Sequence, residues 1–214
     1  MVNLVKMRPL DEKIEDIKEI IRGMGDLVRE NLSKALECIK DLNLERVDKV
    51  VALDQKVNNF YFKGKKRIIE CIALYQPVAT DLRFLSASID VLKDMERIGD
   101  YSVDIAKAAR YIEHGLKWKH IFEAGELAKD IVRLSINSYV NLEHSRMKDI
   151  LRLEDRIDFI YRNMFSELKR EPVENVSDIL NAILISRYLE RIGDHSINIS
   201  ERMIYVLEGK REYM

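Results

Sequence analysis

The sequence predicts an all-α protein, a tandem repeat of two three-helix bundles built from six long helices. Three observations carry that prediction. Apolar residues recur in alternating steps of three and four, as at Ile14, Ile17, Ile21, Met24 and Val28, which is the stripe of a helix packed on neighbours. Alternation of period two, the mark of a half-buried strand, never lasts more than a few residues. A decapeptide is also written twice, ERIGDYSVDI from Glu96 and ERIGDHSINI from Glu190, with seven of ten positions identical.

The periodic segments place helices at about 11–41, 44–75 and 79–112, then at about 119–145, 147–170 and 176–208. Pro77, in YQPVATD, ends the second helix because proline lacks the N–H and its ring clashes with the preceding turn. Thr80 or Asp81 is expected to cap the third helix. Pro172, in KREPVENVSD, acts likewise before the sixth helix, with Ser177 or Asp178 as the cap. The chain therefore reads helix, helix, proline turn, helix, twice over. Short loops make sequential helices antiparallel neighbours. The segment HGLKWKH, 114–120, is the natural boundary, giving one bundle over 1–113 and a second over 119–214.

Bulk composition excludes several functions. In 214 residues, 47% apolar content suffices for a packed core, and 7% aromatic content leaves aliphatic side chains to fill most of it. Charged residues make up 34%, yet the formal net charge is −1, so the surface is mixed rather than single-signed and no nucleic-acid partner is expected. No stretch approaches the roughly 18–20 apolar residues that span a bilayer. The N-terminal MVNLVKMRPL lacks a signal-peptide pattern. Cys38 in LECIK and Cys71 in IECIAL read as reduced, buried thiols, which points to the cytoplasm. The basic run KGKKR, 63–67, reads as a solvated helix face, with contact to acidic lipid or nucleic acid as the alternative if the chain is an adaptor.

Chemistry concentrates in the repeated decapeptide. Glu96, Asp100 and Asp104 recur every fourth residue and stack along one helix edge; Glu190, Asp194 and Asn198 do the same in the second copy. Like charges at that spacing destabilise a helix by roughly 0.2–0.5 kcal/mol per pair, so the pattern needs a reason. The preceding helices carry matching pairs, Asp54 with Asn58 in LDQKVN and Glu154 with Asp158 in LEDRID. In an antiparallel hairpin, residues equally far from the turn lie level. Asp54 with Asp100, and Asn58 with Glu96, both centre on Pro77. Glu154 with Asp194, and Asp158 with Glu190, both centre on Glu174, just past Pro172. Each hairpin should thus gather four oxygen-bearing side chains.

Such a cluster calls for a shared proton, a basic partner or a bound cation. Arg97 and Arg191, a residue further along, are expected to flank it without neutralising its centre. All-oxygen ligation suits Mg²⁺, Ca²⁺, Mn²⁺ and iron. Gly99 and Gly193 sit inside these helices, where glycine costs roughly 1 kcal/mol relative to alanine, which suggests close approach by the neighbouring helix.

Assembled in this way, the chain resembles the PhoU family of phosphate-uptake regulators over nearly its whole length. The resemblance rests on QPVATDLR (76–83), MERIGDYSVDIAKAA (95–109), LERIGDHSINISER (189–202), LDQKVN and LEDRID. It implies a tandem bundle carrying metal on its E/DxxxD faces, often multinuclear, with iron, Mn, Mg, Zn or Ca as the candidate ions. It also implies the ATPase of a phosphate ABC transporter as partner, a membrane sensor histidine kinase in many bacteria, and membrane association only through those partners. A homodimer is expected. Asn58 and Asn198 stand where the other half has Asp158 and Asp104, so the two sites should differ in affinity or nuclearity. His195, where the first copy has Tyr101, is one position round the helix and is expected to face elsewhere.

Two other readings compete. A di-iron carboxylate enzyme of the helical-bundle class wants Glu-x-x-His pairs, and none of His114, His120, His144 or His195 has a glutamate three residues before it. Neither GxxxxGK[ST] nor GxSxG occurs. The chain is therefore expected not to be an enzyme. A metal-independent adaptor acting through its helical surfaces is the remaining alternative.

Overall fold

The computed structural model describes residues 8–169 and 176–210, in which six α-helices and no strands are found. They are α1 (Pro9–Asp41), α2 (Glu45–Tyr75), α3 (Ala79–Ala108), α4 (Lys119–Asn141), α5 (Met147–Leu168) and α6 (Val176–Glu208). Single 3₁₀ turns follow α3 at Ala109–Tyr111 and precede α5 at His144–Arg146, which shortens the third and fourth helices relative to expectation. The turn expected at Pro172 and the outer ends of both predicted bundles lie outside the described residues.

Along α1 the predicted stripe faces the core: Ile17, Ile21, Met24 and Val28 are buried, and Ile14, near the helix start, is partly buried against the same cluster. Helices α1, α2 and α3 pack on one another, as do α4, α5 and α6. The two bundles are nevertheless fused. The broadest helix contact in the molecule is α3 against α6, and α1 crosses α4. One apolar cluster runs from Ile17 to Val206 without a break.

This junction repeats itself about a pseudo-two-fold axis. A Cβ on Gly25 would stand 3.1 Å from Ile136, and one on Gly125 would stand 2.6 Å from Leu36, so each glycine admits the branched side chain that its counterpart's helix presents. Between α3 and α6, His195 Nδ1 lies 2.8 Å from Asp94 on one side, while Tyr101 stacks on Tyr188 at 5.9 Å on the other. Those contacts join corresponding positions of the two repeats. The fully buried Tyr139 of α4 also ties the halves: its hydroxyl donates to the Phe84 carbonyl at 3.0 Å and hydrogen-bonds Ser88 at 2.8 Å.

The expected helix caps are corrected. α3 begins at Ala79 after Val78, and neither Thr80 nor Asp81 caps it. Thr80 instead accepts from Arg83 at 3.0 Å, and Asp81 pairs with Arg8 at 3.3 Å. Ser177 donates to the Tyr111 carbonyl at 2.6 Å. Asp178, buried, accepts the backbone N–H groups of Glu113 at 2.7 Å and His114 at 3.1 Å. Asp81, Ser177 and Asp178 thus bond segments remote in sequence, and Thr80 a side chain of its own helix. Cys38 and Cys71 are buried free thiols. No helix among the described residues is long and apolar enough to cross a membrane.

Candidate metal centre

The hairpins bring the predicted carboxylates onto shared faces. On the first, Asp54 of α2 meets Glu96 and Asp100 of α3: burial, then the charges of Asp100 and Glu96, push the Asp54 carboxyl up to about 6. Asp100 is raised by burial and then by Glu96. Asn58 donates to Asp54 Oδ2 at 3.1 Å, while Asp54 Oδ1 is buried and accepts no hydrogen bond from the described residues. That oxygen explains Gly99, because a Cβ there would stand 2.6 Å from it.

The second face is built alike. Burial raises Glu154, with the charges of Asp158, Asp155, Asp194 and Glu190 adding to it. Burial and then Asp194 raise Glu190, whose Oε2 is buried without a hydrogen-bond partner among the described residues. Glu154, Asp194 and Asn198 line an open groove of about 400 Å³ with His195 and Glu201. Gly193 differs from Gly99, since a Cβ there would make only ordinary contacts, 3.8 Å to Ile157 and 3.9 Å to Glu154. Close approach therefore accounts for one of the two repeated glycines.

Two predicted donors sit at the margins. Asp104 lies near Tyr188 of α6, whose hydroxyl is pushed up by burial and then by Asp104. Asn198 reaches Asp94 across the junction, at 3.5 Å. His195 turns its Nδ1 to Asp94 at 2.8 Å, yet it also borders the groove with Glu154 and Asp194, so the expectation that it faces elsewhere holds only in part.

The arginines behave differently from expectation. Arg97 reaches Asp100 at 3.2 Å and Arg191 reaches Asp194 at 2.7 Å, so both neutralise the face they were expected to flank. Lys93 on Glu96 at 2.7 Å and Arg187 on Glu190 at 2.5 Å complete the pattern. Arg162 pairs with Asp158 at 2.6 Å. The sequence carried the signal for the α3 and α6 pairs, a basic residue three before each acid in both repeats, one helical turn away. With these side chains drawn in, no three His, Cys, Asp or Glu side chains among the described residues converge to hold an ion. The fit to a cation is therefore one of donor chemistry: oxygens only, two of them buried and unpaired, behind exposed ion pairs worth at most about 1 kcal/mol each.

The PhoU domain model matches the chain twice, over residues 21–109 and 121–203. The chain belongs to the PhoU family. Among curated relatives, the phosphate-specific transport system accessory protein PhoU homolog of Aquifex aeolicus is 31% identical over 207 residues, 94% of this chain and 94% of that one. The homolog of the same name from Clostridium acetobutylicum is 26% identical over 208 residues, 94% of this chain and 95% of that one. The crystal structure of the phosphate transport system regulatory protein PhoU from Streptococcus pneumoniae superposes with a TM-score of 0.89 at 24% identity, covering 96% of this chain and all of that one. PhoU from Pseudomonas aeruginosa gives 0.85 at 25% identity, over 94% and 99% of the two chains. The fold and the family implied by the repeated ERIGD motif thus both hold. The Aquifex and Clostridium relatives are named accessory proteins and the Streptococcus protein a regulatory one, which fits the expected non-enzymatic role.

Proposed function

We propose that this PhoU-family chain is a cytoplasmic accessory regulator of a phosphate transport system. It acts by binding and releasing partners, the transporter ATPase first and a sensor kinase where one exists, as a homodimer whose acidic faces take up metal. The observation that supports metal uptake is the repeated acidic face, with an unpaired buried oxygen on Asp54 in one repeat and on Glu190 in the other. Asp54, Asn58, Glu96 and Asp100 would hold an ion in the first half; Glu154, Asp158, Glu190 and Asp194 would hold one in the second, with Asp104 and Asn198 at the edges. A hard cation would supply positive charge beside Asp54 and Glu154, which form no ion pair among the described residues, and would take the place of Lys93, Arg97, Arg187 and Arg191 on the other carboxylates. Iron, Mn, Mg, Zn and Ca, singly or in clusters, all suit the donors, more than one of which can bridge ions.

Elemental analysis of gently purified protein, before and after chelation, tests the site, with Asp100→Asn/Asp194→Asn as the comparison. Metal in the parent and less in the variant, at equal helix content, is the expected result. Equal occupancy would sink the site. Capture of the transporter ATPase on both samples tests the rest of the reading. The existing ion pairs favour the metal-independent adaptor as the second reading, and that reading stands if chelated protein captures the ATPase undiminished.

A further inference from the structure

The outward face of α2 carries a feature that neither the acidic faces nor the fold requires. Over Val57–Ile69 this helix has four basic residues, Lys63, Lys65, Lys66 and Arg67, and no acidic one. All four are exposed. Between them stand two large apolar side chains, Phe62 at 66% and Ile69 at 51% exposure, and towards the Pro77 turn follow Leu74 at 77% and Val78 at 75%. Phe62, Lys66, Ile69 and Ala73 fall on one helix edge at steps of four, three and four. The opposite edge is the buried one, with Val57, Gly64, Ile68 and Cys71 facing the bundle.

Helix stability does not call for this pattern. At the matching positions of α5, Arg162, Phe165, Ser166 and Glu167 stand where α2 has Phe62, Lys65, Lys66 and Arg67, and the same hairpin forms. Nor are the charges consumed internally. Lys63 has no ionic partner among the described residues, and Lys66 and Arg67 share only Glu70, at 3.9 and 3.8 Å. Lys65 lies 5.7 Å over the Tyr61 ring. An exposed apolar strip bordered by cations marks a contact surface for something anionic with an apolar layer beneath.

We infer that this strip of α2 rests on an anionic lipid surface, with Phe62 and Ile69 entering the headgroup boundary and Lys63, Lys65 and Lys66 meeting lipid phosphates. A second copy of the chain is a poor occupant, because a two-fold contact through this strip would set lysines against lysines. A lipid bilayer suits the chemistry because Phe62, Ile69 and Lys66 share one edge of α2 with Lys65 on one side and Lys63 on the other, so an anionic surface with an apolar layer beneath meets both kinds of side chain. The strip adds a direct contact to a chain for which membrane association through partners alone was expected.

Flotation of the full-length protein with vesicles tests this. Vesicles of phosphatidylglycerol and phosphatidylcholine should carry the protein, and pure phosphatidylcholine vesicles should not. Raising salt from 0.1 to 0.5 M should release it. Lys63→Glu/Lys66→Glu should lower partitioning roughly tenfold or more, and Phe62→Ser should lower it at unchanged charge. Lys148→Glu/Arg152→Glu, an equal charge change on the exposed side of α5, should float like the parent. Circular dichroism checks that each variant stays helical. No flotation of the parent on anionic vesicles overturns the inference, as does equal loss in the α5 variant, which would make net charge the cause. Retention on immobilised polyglutamate without flotation also overturns it, by assigning the strip to an acidic protein.

Discussion

Burial and the charges of Asp100 and Glu96 raise the Asp54 carboxyl to about 6 from its ordinary 3.8. In that interval the folded chain holds a proton the unfolded chain has lost, so stability falls as pH rises from about 4 through about 6. Asp54→Asn removes the charge and keeps the shape. In chelated protein it should raise the midpoint of thermal unfolding at pH 8, with the gain closing by pH 4; a pH series of melts reads this, and a gain equal at both pH values would contradict it. The glycines give a second contrast. Gly193→Ala meets only ordinary contacts and should stabilise the chain by about 0.5–1 kcal/mol in urea unfolding. Gly99→Ala meets Asp54 Oδ1 and should lose that gain or reverse it, unless Asp54→Ala has already opened the space. The two positions are identical in the sequence, and only the neighbouring helix separates them: Asp54 comes closer to α3 than Glu154 comes to α6.

Helix positions were legible because near neighbours decide them. Apolar steps of three and four and a proline between hairpin arms fix where α1, α2 and α3 run. The level pairing of Asp54 with Asp100 followed from the same local rule. Caps were less legible, because a polar side chain near a helix end takes whichever donor the fold brings, and sequence does not show what arrives from 60 or more residues away. Asp178 is the clearest case: it holds the segment between α3 and α4 rather than its own helix. Asp178→Ala leaves two backbone N–H groups without their acceptor and should cost about 1–3 kcal/mol. Trypsin should then cut at Lys117 faster than in the parent, and an unchanged cleavage rate would speak against the tether. Tyr139 was invisible for the same reason, its partners lying on α3 in the other repeat.

Across the whole molecule the two bundles share one apolar cluster, through α3 with α6 and α1 with α4. Urea unfolding followed by helix signal and by Trp118 fluorescence should therefore give one coincident transition rather than two. Two separated transitions would show that the halves are energetically independent despite their shared core. The junction also bears on how such a chain arises. Two identical subunits meeting about a rotation axis must offer each contact twice, since every mutation appears on both sides. Within a single polypeptide the two copies of the repeat are free of that constraint: Asp94 and His195 take one side while the corresponding positions, Tyr188 and Tyr101, form an aromatic pair on the other. Covalent linkage thus leaves two contacts that selection can tune separately.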